Sequence, residues 1–187
     1  MLRNFWRSPI FWFIVLNLVG CILGYFAGLS RNMRNNFSKL PKIVHKAYVI
    51  IFFILPMCIL PFLPQPRFDF HLWTLIIGII LTVIGITIEV FAFCKIGIIP
   101  GGKAGNTVIN TGIYGLVRHP IYSGNILWSL GIALILRAKY ALIYVPIFII
   151  LSIILTLAEE NGLVEDFGEK YKEYKKKIKW RLFPYLF

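Results

Sequence analysis

Arg118-His119-Pro120-Ile121-Tyr122-Ser123-Gly124 opens one helix-length apolar run, and Glu159-Glu160 closes the next. Ionisable groups beside hydrocarbon are costly, so they mark ligand or proton sites by default. Pro120 suits the first position of a helix, and the free amides just beyond it, flanked by Arg118 and His119, form a ready anion site. Gly124 then leaves one wall of that helix start open. At a helix C-terminus, Glu159 and Glu160 oppose the helix dipole at roughly 0.3 to 1 kcal/mol each. Their placement therefore implies a separate demand for negative charge, which a cationic ligand supplies. The two runs are joined by a short turn around Ala138-Lys139-Tyr140, so they pair antiparallel and bring both polar ends to one side of the membrane. One zwitterion could then touch both ends. Tyr114 and Tyr122 are placed to pack a flat base or to face an onium centre by cation–π attraction.

The elements that position these ends are membrane spans. The chain has 187 residues, 58% of them hydrophobic, and a mean hydropathy of +0.76, well above the apolar share of soluble domains. About 20 apolar residues cross the hydrocarbon core, and five runs approach that length: Pro9 to Leu29, Ala47 to Leu63, Leu72 to Ile98, Pro120 to Leu136 and Ala141 to Leu157. Arg3, Arg7 and the Leu18-Val19-Gly20-Cys21 stretch resemble a lipoprotein signal, but the apolar run outlasts the roughly 7 to 15 residues of a signal core. Pro56, Pro61 and Pro64 should kink or end the second span. Gly78 and Gly85 predict close approach of a neighbouring helix to the third. Glu89, in that third span, reads either as a snorkelling acid near Lys95 or as part of a pocket. The expected fold is an all-α integral membrane protein with about five transmembrane helices and a cytoplasmic amphipathic C-terminal helix.

The net charge of +12 is spread over loops as for a face near anionic lipid headgroups, and is no sign of nucleic-acid binding. Cys21, Cys58 and Cys94 stand singly in apolar runs, without the spacing of a disulfide framework or zinc site, and no metal is expected. With five spans, one side receives Arg3, Arg7, Arg67, Arg137 and Lys139, and the other receives every remaining base. The positive-inside rule puts that second side, with Arg118 and the C-terminus, in the cytoplasm; the expected location is a prokaryotic inner membrane. In the tail, Leu163, Phe167, Tyr171, Tyr174 and Ile178 recur at spacings of three and four, which predicts a helix with an apolar aromatic stripe. Acids lead and lysines follow there, complementing the dipole.

S-adenosylmethionine is a zwitterion of the required kind, and the same residues resemble a known family. Gly112-Ile113-Tyr114, Arg118 to Gly124, Glu159-Glu160, and Phe167-Gly168-Glu169-Lys170-Tyr171-Lys172-Glu173-Tyr174 occur in the order found in the isoprenylcysteine carboxyl methyltransferase and phospholipid methyltransferase superfamily of integral membrane methyltransferases. The resemblance covers roughly the C-terminal half. It implies a single membrane-embedded methyltransferase domain over 1–187, with an N-terminal three-helix region (1–98) and a cofactor-binding half (99–187). It also implies S-adenosylmethionine contacts at Asn106, Thr107, Val108, Ile109, Tyr114, His119, Pro120, Ile121, Tyr122 and Glu159, and a C-terminal segment that caps the pocket while the acceptor enters from lipid. Arg118 and Glu160 are assigned to the reacting end. In eukaryotic isoprenylcysteine enzymes an arginine one turn before the acidic contact faces the substrate carboxylate; here Leu155 stands there, so the resemblance does not extend to that contact.

The activity so implied is methyl transfer from S-adenosylmethionine to a lipophilic acceptor at the cytoplasmic face, such as an isoprenylcysteine carboxylate. A phospholipid amine is the alternative acceptor, its proton passing to Glu160, Glu89 or water. Two other classes stand beside it. A nicotinamide-dependent membrane reductase predicts basic phosphate recognition where this chain has paired acids. A non-enzymatic membrane subunit or transporter predicts charges within several spans. Trp6, Trp12, Trp73 and Trp180 read as interfacial anchors, whereas Trp128 falls inside the fourth span and is a candidate for lining the acceptor cavity.

Overall fold

Ser8 caps the first long helix by accepting the Phe11 amide on its side chain, and Pro9 takes the first helical position, so α1 (Pro9–Leu29) begins where the apolar run begins. The computed structural model describes residues 5–96 and 107–187. From α1 the chain passes through α2 (Arg31–Ser38), α3 (Lys42–Val49), α4 (Leu55–Ile59), α5 (Leu72–Ile96), α6 (Pro120–Ile135), α7 (Lys139–Phe167) and α8 (Glu169–Lys177). No strand occurs among the described residues beyond an isolated bridge between Arg67 and Ala138. Among the described residues, four helices are long and apolar enough to cross a membrane: Pro9–Leu29, Ile43–Phe62, Leu72–Ile96 and Lys139–Phe167. The Pro120–Ile135 helix is apolar but shorter.

Proline shapes the second span differently from a simple kink. A wide π turn (Ile50–Ile54) joins α3 to α4, Pro56 follows it, and a 3-10 turn (Leu60–Phe62) ends the span. Lacking an N–H, Pro56 leaves the Phe52 carbonyl without its usual helical donor. Asn17 Nδ2 on α1 fills that role at 2.8 Å, and Tyr144 on α7 donates its hydroxyl to Asn17 Oδ1 at 2.6 Å. A single buried amide thus ties three spans together.

Helices α5 and α6 lie backbone to backbone. A Cβ on Gly85 would stand 2.5 Å from the Trp128 nitrogen and 2.7 Å from the Gly124 carbonyl oxygen; one on Gly78 would meet the Gly131 carbonyl at 2.8 Å. The two helices therefore run antiparallel with paired glycines in register, as the glycines of the third span predict. Gly124 does not leave the helix start open: a Cβ there would meet the Gly85 carbonyl oxygen at 2.7 Å, so its missing side chain serves the packing of α5.

Helices α1 and α7 run parallel, with Asn17 beside Tyr144 and Gly28 against Ala158. Arg34 on α2 clamps their shared end by donating to the Gly28 carbonyl at 2.6 Å and pairing with Glu165. At the opposite end Arg67 donates to the carbonyls of Pro61 and Leu136. One end of the bundle thus collects the start of α6, the end of α7 and α8.

The last span is longer than its apolar run. Helix α7 continues past Leu157 to Phe167 and stops at Gly168, whose φ of 58° favours glycine. Glu159 and Glu160 therefore lie well inside the helix, and the argument that they oppose a C-terminal dipole does not apply. The tail stripe is likewise split between α7 and α8, yet Tyr171, Tyr174 and Ile178 still form one cluster with Val108, Leu163 and Phe167.

Candidate functional site

Pro120 heads α6, and the preceding residues approach it through a 3-10 turn (Gly112–Gly115). The C-terminal segment then crosses this approach: the Arg118 and His119 amides donate to the Trp180 and Arg181 carbonyls at 2.9 and 2.8 Å, and Ser123 Oγ donates to the Leu182 carbonyl. These bonds fix the start of α6 against α7 and α8. Between them lies a cleft lined by Thr107, Val108, Ile109 and Tyr114 on one side and His119, Pro120, Ile121 and Tyr122 on another. Glu159 and the aromatic stripe of Phe167, Tyr171 and Tyr174 close it. Its space is about 100 Å³, below the roughly 300 to 1,000 Å³ of a small-molecule site, so a ligand of that size requires the cleft to widen.

The cleft has unmet polar capacity. Tyr114 Oη and His119 Nε2 are buried without a hydrogen-bond partner, and buried polar atoms are normally satisfied. Burial, with Glu159 adding to it, raises the Tyr114 hydroxyl above its usual range, so it is a neutral donor at physiological pH. Burial is likewise the leading cause that raises the Tyr171 and Tyr174 hydroxyls. Tyr174 spends its hydroxyl on the Tyr114 carbonyl at 2.8 Å, which pins α8 over the cleft. Glu159 keeps a third of its side chain exposed, with Oε2 3.6 Å from His119 Nδ1.

Glu160 has a different fate from its neighbour. Its side chain is 2% exposed, and Arg118 donates to Oε1 from Nε and Nη2, both at 2.7 Å. Arg181 Nε reaches the same oxygen at 3.2 Å, and Lys175 Nζ reaches Oε2 at 3.1 Å. His119 Nε2 approaches Oε1 at 3.5 Å without hydrogen-bond geometry. The remaining Arg118 nitrogen, Nη1, donates to the Ile178 and Lys179 carbonyls. Of the two residues assigned to the reacting end, Arg118 borders the cleft with its guanidinium engaged by the Glu160 carboxylate and the tail carbonyls, and Glu160 is buried outside the cleft lining. Together they cross-link α6, α7, α8 and the tail.

Of the other residues singled out in the sequence, Thr107, Val108, Ile109, Tyr114, His119, Pro120, Ile121, Tyr122 and Glu159 all border this one cleft. Asn106 lies outside the described residues. Ile96 and Leu163 also line it; Ile96 carried no signal, being one more apolar residue at the end of a span. Lys175 and Arg181 were hidden in a run of tail bases. Leu155 is buried, against Gly24 of α1, and is not among the lining residues.

The chain is similar to proteins of two activities. Over 113 residues it is 30% identical to protein-S-isoprenylcysteine O-methyltransferase of Xenopus laevis, covering 57% of this chain and 39% of that protein. The enzyme of the same name from Schizosaccharomyces pombe is 36% identical over 73 residues, 38% of this chain and 30% of the other. Delta(14)-sterol reductase TM7SF2 of Mus musculus is 30% identical over 87 residues, covering 44% of this chain and 20% of the reductase. This chain thus spans no more than about two fifths of the length of these relatives. Residues 80–187, which hold α6, α7, α8 and every described residue of the cleft, match the ergosterol biosynthesis ERG4/ERG24 family. The chain belongs to that family, which takes in the isoprenylcysteine methyltransferases whose motif it carries.

Proposed function

We propose that the cleft binds S-adenosylmethionine and that the protein methylates a lipophilic acceptor reaching it from the membrane. The observation that carries this reading is the charge left over at the cleft. Arg118, Lys175 and Arg181 converge on Glu160, while Glu159 presents a partly exposed carboxylate beside Tyr114, His119 and Tyr122. Such a wall suits a cationic ligand with a flat ring. It does not suit the phosphates of a nicotinamide dinucleotide, which favours methyl transfer over the reductase activity of the mouse relative.

The residues present fit the donor. Glu159 offsets its positive charge. His119 and the first-turn amides of α6 hold its carboxylate in place of Arg118, and Tyr114 Oη, buried and unpartnered, is free to bond the adenosyl part. When bound, S-adenosylmethionine supplies an activated methyl group. The protein supplies alignment and dryness: Ile96, Val108, Ile121, Leu163 and Phe167 border the cleft and exclude water from the acceptor's approach. Helix α8, hinged at Gly168 and pinned by Tyr174, is the lid. The basic side of the bundle, with the cleft, faces the cytoplasm in this reading.

The test is transfer of labelled methyl from S-adenosylmethionine to a membrane lipid extract and to prenylated thiols, using protein in lipid nanodiscs. Label in an apolar product supports the proposal. Absence of label from every lipophile, with hydride transfer from a nicotinamide cofactor to a sterol instead, replaces it with the reductase reading.

A further inference from the structure

A second polar cluster lies deeper in the bundle, where α5 meets α6. Trp128 donates its indole N–H to Glu89 Oε2 at 2.7 Å, and Asn125 Nδ2 lies 3.4 Å from Glu89 Oε1. Gly124 makes this possible, since a Cβ there would stand 3.0 Å from the Glu89 Cβ. Among the described residues no lysine, arginine or histidine comes within ion-pair distance of Glu89. An acid kept at membrane depth without a cation is a functional signal.

The neighbouring atoms share its polarity. Asn125 is 7% exposed and Ser129 4%, and Asn125 Oδ1 and Ser129 Oγ are both buried without a partner. Asn125 Oδ1 belongs to the amide whose nitrogen already reaches Glu89, so unspent capacity stands at the carboxylate itself. Carboxylate, amide oxygen and hydroxyl all accept hydrogen bonds. The carboxylate and the amide oxygen can only accept, so the partner they lack is a donor, and the Ser129 hydroxyl can serve a ligand in either role. The cluster also adjoins the cleft: Asn125 Nδ2 lies 3.2 Å from the carbonyl of Ile121, a cleft-lining residue one turn nearer the start of α6.

We infer that Glu89, Asn125 and Ser129 form the head-group site of the methyl acceptor, and that this site takes a lipophile whose polar end donates hydrogen bonds, an amine or hydroxyl, in preference to a carboxylate. The inference rests on the methyl-transfer reading for the identity of the ligand as acceptor. A carboxylate entering here would meet Glu89 with like charge in a low-dielectric setting.

Three lipophiles with one farnesyl chain separate the cases: farnesylamine, farnesol and N-acetyl-farnesylcysteine. Their binding to the protein in nanodiscs is measured without any methyl donor. The amine or alcohol is expected to bind at least tenfold more tightly than the carboxylate. Glu89→Gln keeps an oxygen for Trp128 but removes the charge; it is expected to cut amine affinity about tenfold and leave S-adenosylhomocysteine binding and melting temperature unchanged. Tightest binding of the carboxylate by the wild type, or equal amine affinity in Glu89→Gln, overturns the inference. Loss of S-adenosylhomocysteine binding in the wild type refutes the donor site alone, because lipophile selectivity is read separately.

Discussion

Replacing Glu160 by glutamine keeps its shape and removes the charge on which Arg118, Arg181, Lys175 and His119 converge. Breaking a buried ion pair from one side costs about 3 to 5 kcal/mol, because the remaining charge is stranded. Two features pull this case toward the lower bound. Arg118 Nη1 retains the Ile178 and Lys179 carbonyls, and Arg181 and Lys175, with side chains 27% and 32% exposed, can turn to water, where such pairs are worth about 1 kcal/mol or less. The expected loss is thus about 3 kcal/mol. For a chain of this size that lowers the melting temperature by roughly 6 to 12 °C. The assay is thermal unfolding in a fixed detergent, with hydrogen exchange reporting on residues 178–187, which should lose protection first. Glu159→Gln is the control: its carboxylate is partly exposed, lies 3.6 Å from His119 and is hydrogen-bonded by Tyr122, for which glutamine keeps an acceptor oxygen, so it should shift the melting temperature by no more than about 2 °C. An unshifted Glu160→Gln, or a Glu159→Gln as damaging as Glu160→Gln, would refute the division of the acid pair into a structural and a ligand-facing half.

Gly85→Leu should cost more than about 3 kcal/mol by forcing α5 off α6, since the first added atom already meets the Trp128 nitrogen at 2.5 Å; loss of a folded monomer peak in detergent chromatography checks this. Gly168→Ala meets nothing within 4 Å, so its cost should be pure backbone strain of about 1 to 3 kcal/mol, read as a drop in melting temperature and faster exchange in α8. Tyr174→Phe loses the bond to the Tyr114 carbonyl and should destabilise by about 1 kcal/mol, with a faster off-rate for S-adenosylhomocysteine in stopped flow. Asn17→Leu frees the Phe52 carbonyl and the Tyr144 hydroxyl and should cost about 2 to 3 kcal/mol in thermal unfolding.

Apolar length was enough to locate the long spans, because a span must satisfy its backbone internally and its bounds follow composition, whereas the polar helix α2 (Arg31–Ser38) carried no such signal. The paired approach of α5 and α6 could likewise be read from Gly78 and Gly85. The end of α7 could not. Glu159-Glu160-Asn161-Gly162 looks like the exit from hydrocarbon, but the helix runs on to Phe167, with Glu160 met by Arg118, Lys175 and Arg181. Those cations come from segments distant in sequence, so no local pattern reveals them. The cleft-lining set was more legible, since Tyr114, His119, Tyr122 and Glu159 fall in a motif order that the fold gathers around one cleft. The difference between Glu159 and its neighbour was not legible: adjacent helical residues point about 100° apart, and which one faces the cleft depends on packing.

The central claim is that this cleft holds the methyl donor, and calorimetric titration of the purified protein with S-adenosylhomocysteine tests it most directly. The wild type should bind, and Glu159→Gln, losing its contact to the ammonium group that S-adenosylhomocysteine shares with the donor, worth about 1.5 to 3 kcal/mol, should bind about 10- to 150-fold more weakly with little change in melting temperature. Absence of binding by the wild type, or equal affinity in Glu159→Gln and His119→Ala, would contradict it.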